Sequence, residues 1–193
     1  MRRVRWMLWI LVGLALIGTI VLLVYRRPAP VATTAVNLGG PFTLVGGDGQ
    51  PFDSRRLAGK PYAIFFGFTH CPDVCPTTLA RLAGLRKQLG TGDGAFNIVF
   101  VSVDPERDGP KEVAAYSKAF GSQVIGLTGS PGQIDQVKKQ FGIFSEKVPQ
   151  GDSYTVDHSA AVLLFDGNGS FKATISAQEP DGAALDKLRL LTA

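Results

Sequence analysis

Short apolar runs alternate along most of the chain with stretches in which apolar residues recur at helical spacing. The runs at 63–68 and 96–103 are continuous and rich in aromatic or β-branched residues, as expected of buried strands. The runs at 161–165 and 171–175 flank Asp-Gly-Asn-Gly, which predicts a hairpin. Shorter strands are predicted at 42–45 and 124–127.

Four helices are predicted from the helical spacing of leucine, isoleucine and phenylalanine, and each starts near a proline. Proline is favoured at the first helical position because it has no N–H to leave unpaired there. The predicted helices run over 76–89, from Pro110 through Phe120, from Pro131 to Phe141 and over 180–191. Strands that alternate with helices and then form a hairpin indicate an α/β fold, in which helices cover a mixed sheet.

The N-terminal segment differs from the rest, because residues 6–25 contain no charged side chain. A segment of this length matches a helix that spans a bilayer, and Trp6, Trp9 and Tyr25 lie toward its ends as interfacial aromatics do. A cleaved signal peptide would have a shorter apolar region, of about 7–15 residues, that ends at small residues. We therefore predict an uncleaved membrane anchor over 1–27.

Arginines on both sides of this segment predict its orientation. Three arginines precede it and two follow it, and this slight bias puts the N-terminus in the cytoplasm and the rest of the chain outside. The predicted location is the bacterial inner membrane, with the folded domain in the periplasm. Residues 28–40 are small, polar and proline-bearing, which predicts a linker to one domain over 41–193.

The formal net charge of +4 does not indicate a nucleic-acid-binding protein. The five arginines beside the apolar segment account for it, and the remainder carries 15 basic and 16 acidic residues. A nucleic-acid surface needs a clustered basic face, so no nucleic-acid partner is predicted. The apolar content of 45% is enough for one full core in a medium-sized domain.

Cys71 and Cys75, the only cysteines in the chain, lie between the apolar run 63–68 and the helix predicted from Pro76. At such a strand-to-helix turn both thiols are close to the positive end of a helix dipole, which favours thiolate. Three interpretations remain open: a soft-metal site, a redox dithiol and a small structural disulfide. The disulfide is the weakest, because closing so short a loop removes little chain entropy.

Two histidines and one acidic loop are further candidates for this site. His70 precedes Cys71 directly, but adjacent residues rarely point at one metal, so we expect a turn residue. His158 lies 83 positions after Cys75, and taken alone it is more typical of a packed or solvated histidine than of a ligand. The loop 104–108 follows a predicted strand, and ligand-binding and catalytic residues commonly lie at the carboxyl ends of such strands. We interpret its aspartates as a turn residue and a helix cap, with partner docking as the alternative.

Three sequence blocks together carry a resemblance. They are Phe-Gly-Phe-Thr-His-Cys-Pro-Asp-Val-Cys-Pro-Thr-Thr-Leu at 66–79, Val-Ser-Val-Asp-Pro-Glu-Arg-Asp at 101–108 and Val-Asp-His-Ser at 156–159. In these blocks the chain resembles the Sco/SenC family, membrane-anchored copper proteins with a thioredoxin fold that serve cytochrome c oxidase assembly. The resemblance runs from about residue 42 to the C-terminus.

The resemblance implies a thioredoxin-like domain with an N-terminal transmembrane helix, and Cys71, Cys75 and His158 as ligands of Cu(I) or Cu(II). Two thiolates and one imidazole are a soft ligand set that suits Cu(I). The implied function is delivery of copper to the binuclear CuA centre in subunit II of cytochrome c oxidase. Because the cysteines must be reduced and the periplasm is oxidising, a reductant of thioredoxin type is implied as a second partner.

Two other functions remain open. The same dithiol could serve a thiol–disulfide oxidoreductase that reduces the cysteines of the oxidase copper site. Against this, the usual redox motif has two intervening residues rather than three, and the segment 158–161 has no proline where thioredoxins have a cis-proline. The other alternative is a copper or redox sensor that binds a membrane regulator. Whether the protein is an enzyme therefore stays open, and a metallochaperone is the favoured hypothesis.

Overall fold

The computed structural model describes residues 2–25, 38–90, 92–121 and 123–193. The chain divides into two compact units, Met1–Val36 and Asn37–Ala193.

The described part of the first unit is the helix α1 (Arg2–Tyr25). Within the described ranges, no helix combines the length and the apolar character needed to cross a membrane. The predicted anchor over 1–27 therefore has no support from the structure. Most of the predicted linker over 28–40 lies outside the described residues.

The second unit is an α/β domain in which strands and helices alternate before a final hairpin and helix. Its strands are β1 (Thr43–Gly46), β2 (Pro51–Asp53), β3 (Tyr62–Gly67), β4 (Asn97–Ser102), β5 (Val124–Thr128), β6 (Ser145–Gln150), β7 (Ser153–His158), β8 (Val162–Phe165) and β9 (Phe171–Ile175). Its α-helices are α2 (Val74–Gln88), α3 (Pro110–Lys118), α4 (Pro131–Phe141) and α5 (Asp181–Thr192). Short 3-10 helices span Ser54–Leu57 and Gly92–Gly94.

Seven of the strands form one mixed sheet in the order β2-β1-β5-β4-β3-β8-β9. The three central strands β3, β4 and β5 are parallel, and the outer pairs are antiparallel. Every residue of β3 is buried, which explains why its sequence is a continuous apolar run rather than an alternating one. The predicted α/β class with a mixed sheet and flanking helices is confirmed, and this arrangement is consistent with a thioredoxin-like fold.

The register of β3 and β4 brings two loops together at one edge of the sheet. The strands pair in parallel from Tyr62 opposite Asn97 to Gly67 opposite Ser102. Just beyond them, the backbone N–H of Val103 donates to the carbonyl oxygen of Gly67 at 2.8 Å. The cysteine turn after β3 and the loop 104–108 after β4 are therefore neighbours.

The strands β6 and β7 form a separate two-stranded sheet, which the sequence pattern did not predict. They pair in antiparallel register with Ser145 opposite His158 and Gln150 opposite Ser153. Nearly all of β6 is exposed, so its sequence lacks the run or alternation of apolar residues that marks a strand. This hairpin places His158 at the end of β7, away from the hairpin turn.

Candidate metal centre

The cysteine turn is built by the end of β3 and the start of α2. The backbone N–H of Cys71 donates to the carbonyl oxygen of Phe68 at 3.3 Å, which closes the turn. The helix α2 begins at Val74, earlier than predicted, so Cys75 lies inside its first turn. The backbone N–H of Cys75 donates to Sγ of Cys71 at 3.4 Å. Gly67 leaves room for the second sulfur, because a Cβ there would lie 2.7 Å from Sγ of Cys75.

The two thiols have different surroundings. Cys71 is partly exposed and Cys75 is fully buried. Burial raises the pKa of the Cys75 thiol far above its ordinary value, and the side-chain hydrogen bond with Cys71 raises it further. The expectation that the helix dipole favours thiolate at both cysteines was therefore wrong for Cys75, because desolvation of the charged form outweighs the dipole.

His158 approaches the buried sulfur from the end of β7. Its Nε2 lies 3.4 Å from Sγ of Cys75, and its Nδ1 lies 3.0 Å from the carbonyl oxygen of Ser159. A carbonyl oxygen can only accept, so Nδ1 carries the proton and the lone pair of Nε2 faces the sulfur. The rings of Phe65 and Phe68 pack edge-on against the imidazole, with centroids 5.9 and 5.8 Å away.

The structure thus brings together the three predicted ligands. The donor atoms of Cys71, Cys75 and His158 all lie within 4.8 Å of one another, so one ion could contact all three after small rotations. Metal-binding histidines usually donate their other ring N–H to a carbonyl or carboxylate, as His158 does here. Two sulfurs and one imidazole are the donor set that suits copper, and this group could hold a copper ion.

His70 lies outside this group, as expected. Its side chain is 55% exposed, and its Nδ1 lies 3.1 Å from Oγ1 of Thr69 and 3.4 Å from Oδ1 of Asp108.

Asp108 supports the cysteine turn from the neighbouring loop. Its buried carboxylate accepts hydrogen bonds from the backbone N–H of Thr69 (2.8 Å), the hydroxyl of Thr69 (2.6 Å) and the hydroxyl of Ser102 (2.6 Å). It does not cap α3, whose N-cap is Gly109, so the interpretation of this aspartate as a helix cap was wrong. The carboxylate holds the residues that immediately precede Cys71.

The other end of the same loop holds the β6–β7 hairpin. Asp104 is buried and accepts hydrogen bonds from the Tyr154 hydroxyl (2.8 Å) and from Nε of Arg107. Arg107 donates to the carbonyl oxygen of Tyr154 at 2.9 Å, and its guanidinium lies 3.7 Å from the centroid of that ring. The loop 104–108 therefore connects the element that carries the cysteines with the element that carries His158. Sequence reasoning missed Tyr154 and Arg107, because their contacts span about fifty positions.

We expect the apparent affinity of this site for Cu(I) to rise with pH. Because burial raises the pKa of Cys75, this thiol is protonated in the copper-free protein between about pH 6 and pH 8, and binding must release its proton. The apparent dissociation constant should fall about tenfold per pH unit for each proton released. Competition titrations with a Cu(I) chelator across this range measure the slope, and a constant that does not change with pH would contradict the expectation.

The family model for SCO1/SenC proteins matches residues 31–193 of this chain. Among curated proteins, SCO1 homolog 1, mitochondrial, of Arabidopsis thaliana is 41% identical over 136 residues, which cover 69% of this chain and 41% of that protein. The SCO2-like protein RP587 of Rickettsia prowazekii is 38% identical over 151 residues, which cover 75% and 74%. The chain therefore spans less than half the length of the first relative and about three quarters of the second.

The fold is also similar to that of a solved copper complex. ScoI of Bradyrhizobium japonicum with copper bound superposes with a TM-score of 0.72 at 38% sequence identity, covering 80% of this chain and 99% of that one. The similarity thus covers most of this chain and nearly all of the solved one.

Proposed function

Because this chain belongs to the SCO1/SenC family, we propose that it is a metallochaperone that binds copper and delivers it to the CuA centre in subunit II of cytochrome c oxidase. Sco proteins are cytochrome c oxidase assembly proteins. The observation that carries the proposal is the convergence of the donor atoms of Cys71, Cys75 and His158 within 4.8 Å. The copper bound by a solved relative supports the choice of metal.

The three ligands have different tasks in this proposal. Cys75 and His158 form the inner pair, because Cys75 is fully buried and the two side chains lie against each other. Cys71 is partly exposed, so the incoming ligand of an acceptor protein reaches copper on the Cys71 side. Copper then passes to the acceptor by exchange of one ligand for another, without a change in its oxidation state.

We also propose three parts for the chain: an anchor over 1–27, a linker over 28–40 and a copper-binding domain over 41–193. The charge-free sequence at 6–25 and the flanking arginines support a single-pass position in a bacterial inner membrane, with the domain in the periplasm. In that oxidising compartment the two cysteines would form a disulfide. A reductant of thioredoxin type is therefore part of the proposal, since a disulfide has no thiolate to donate to copper.

The test is copper transfer from the full-length, reduced protein to the apo form of subunit II. We expect one Cu(I) per chain, transfer of Cu(I) to the acceptor, and the appearance of the CuA absorption once ferricyanide has removed one electron from the metallated acceptor. Copper content and free thiols should be measured on the same sample, so that loss of binding by oxidation is recognised. A reduced protein that binds no Cu(I), or that binds it and never metallates the acceptor, would contradict copper delivery.

One observation favours a second candidate, a thiol–disulfide oxidoreductase that reduces the cysteines of the oxidase copper site. Cys71 is the more exposed thiol, and the N–H of Cys75 donates to its sulfur, so Cys71 is the thiol that a disulfide of an acceptor protein can reach. Cys75 lies close enough to resolve the mixed disulfide that would form. Rapid reduction of oxidised apo subunit II that does not depend on His158 would favour this candidate over copper delivery.

A further inference from the structure

One face of β7 holds the β6–β7 hairpin against the rest of the domain. Tyr154, Val156 and His158 alternate along this strand, and residues at alternate positions of a strand share a face. Val156 is buried and the other two are partly buried, whereas Ser153 and Asp157 are exposed. The partner strand β6 is almost entirely exposed. The position of His158 therefore depends on how this face of β7 is held.

Tyr154 makes the polar contacts of this face. Its hydroxyl donates to the carboxylate of Asp104 at 2.8 Å, and its carbonyl oxygen accepts from Nη1 of Arg107 at 2.9 Å. The guanidinium of Arg107 also lies 3.7 Å from the centroid of the Tyr154 ring. Asp104 is fully buried, so it is a fixed acceptor rather than a mobile surface group. The loop 104–108 thus holds the hydroxyl, the ring and the backbone of Tyr154.

The same loop reaches the imidazole by a second route, through Phe68. The guanidinium of Arg107 lies 5.9 Å from the centroid of the Phe68 ring. That ring packs edge-on against His158 with centroids 5.8 Å apart, and the carbonyl oxygen of Phe68 accepts from the backbone N–H of Cys71. Arg107 therefore connects the strand that ends in His158 with the turn that carries the first cysteine.

We propose that Tyr154 is a positioning residue that holds the imidazole of His158 at the sulfur of Cys75; this inference rests on the proposed function. A two-stranded hairpin alone is only marginally stable in water, so its bond to Asp104 limits the positions that the strand can adopt. Without that bond, Nε2 of His158 would spend less time at 3.4 Å from Sγ of Cys75. Copper binding would then have to order the imidazole, which lowers the affinity.

The first test is a double-mutant cycle on Cu(I) affinity in the full-length, reduced protein, measured by anaerobic competition with bathocuproine disulfonate. Tyr154→Phe keeps the ring and loses the hydroxyl bond to Asp104. We expect it to weaken binding by on the order of tenfold when His158 is present. In the His158→Ala background the loss should be less than about twofold, because the effect acts through the imidazole.

Tyr116→Phe is the matched control for this cycle. It makes the same chemical change at a buried hydroxyl that has no hydrogen-bond partner among the residues that the structure describes. It should therefore bind Cu(I) like the wild type.

The second test uses NMR and needs no copper. The ring protons of His158 lie beside the rings of Phe65 and Phe68, whose ring currents shift the NMR signals of those protons. In copper-free, reduced Tyr154→Phe these signals should move toward the positions seen for free histidine. The signals of His70, which is 55% exposed, should not move, so they serve as the internal control.

Arg107→Lys tests the same contact from the loop. It keeps the charge but cannot bond both Asp104 and the carbonyl oxygen of Tyr154, so it should give the same pattern as Tyr154→Phe. Unchanged Cu(I) affinity and unchanged His158 signals in Tyr154→Phe would overturn the inference. So would an equal loss of affinity in the His158→Ala background, since Tyr154 would then support the cysteines or the whole fold. If the wild type bound no Cu(I), the proposed function would fail, whereas the copper-free spectra would still show whether Tyr154 holds the imidazole.

Discussion

Replacing His158 with alanine should weaken Cu(I) binding by on the order of 100-fold or more, beyond the loss usual for an outer-shell change. The imidazole supplies the only nitrogen donor in the group of three. In the wild type, Nε2 of His158 lies 3.4 Å from Sγ of Cys75. In the variant this nitrogen is absent, so copper would be bound by the two sulfurs of one short turn alone. Anaerobic competition with a Cu(I) chelator at fixed pH measures the change.

His70→Ala is the matched control, because it removes the other histidine of the chain and should leave the affinity unchanged. His158 also packs against Phe65 and Phe68, so its loss opens a small space in the domain. Thermal unfolding monitored by circular dichroism separates this packing effect from ligand loss. If His158→Ala bound one Cu(I) per chain with wild-type affinity, the proposed ligand set would be wrong.

The parts of the fold that the sequence predicted are those whose stability depends on burial. The runs at 63–68 and 96–103 are apolar because β3 and β4 lie inside the sheet, and they were recognised for that reason. The β6–β7 hairpin was missed for the opposite reason. Its outer strand, Ser145–Gln150, is exposed and contains charged residues and a proline, so tertiary contacts rather than local pattern hold it in place.

In the site, too, local sequence pattern predicted only the features that do not depend on tertiary contacts. The strand-to-helix turn of Cys71 and Cys75 follows from local pattern, but the role of His158 came only from the family resemblance. Cys75 and His158 are 83 positions apart in the sequence, so the spacing of residues along the chain does not indicate that they are in contact. Burial of Cys75 reverses the pKa direction expected from the helix dipole, and burial cannot be judged from a turn sequence. Asp108 was taken for a helix cap because a proline-led helix follows it, while its actual partners lie on other strands and turns.

Replacing Asp108 with alanine should lower the free energy of unfolding by about 3 kcal/mol, because it leaves one buried and two partly buried donors without their acceptor. The carboxylate accepts from the N–H and the hydroxyl of Thr69 and from the hydroxyl of Ser102. Asp108→Asn should cost less, since its amide oxygen can replace Oδ2 as an acceptor. Urea unfolding of the copper-free, reduced protein at neutral pH measures both variants.

Asp108→Ala should weaken Cu(I) binding as well as lower the stability of the fold. Thr69 lies two residues before Cys71, so a freed turn would hold the Cys71 sulfur less firmly against the N–H of Cys75, and Cu(I) affinity should fall with stability. Asp152→Ala is the control: this aspartate is exposed at the hairpin turn, and its loss should change stability by no more than about 0.5 kcal/mol. If Asp108→Ala unfolded like the control and bound copper like wild type, the loop 104–108 would not support the cysteine turn.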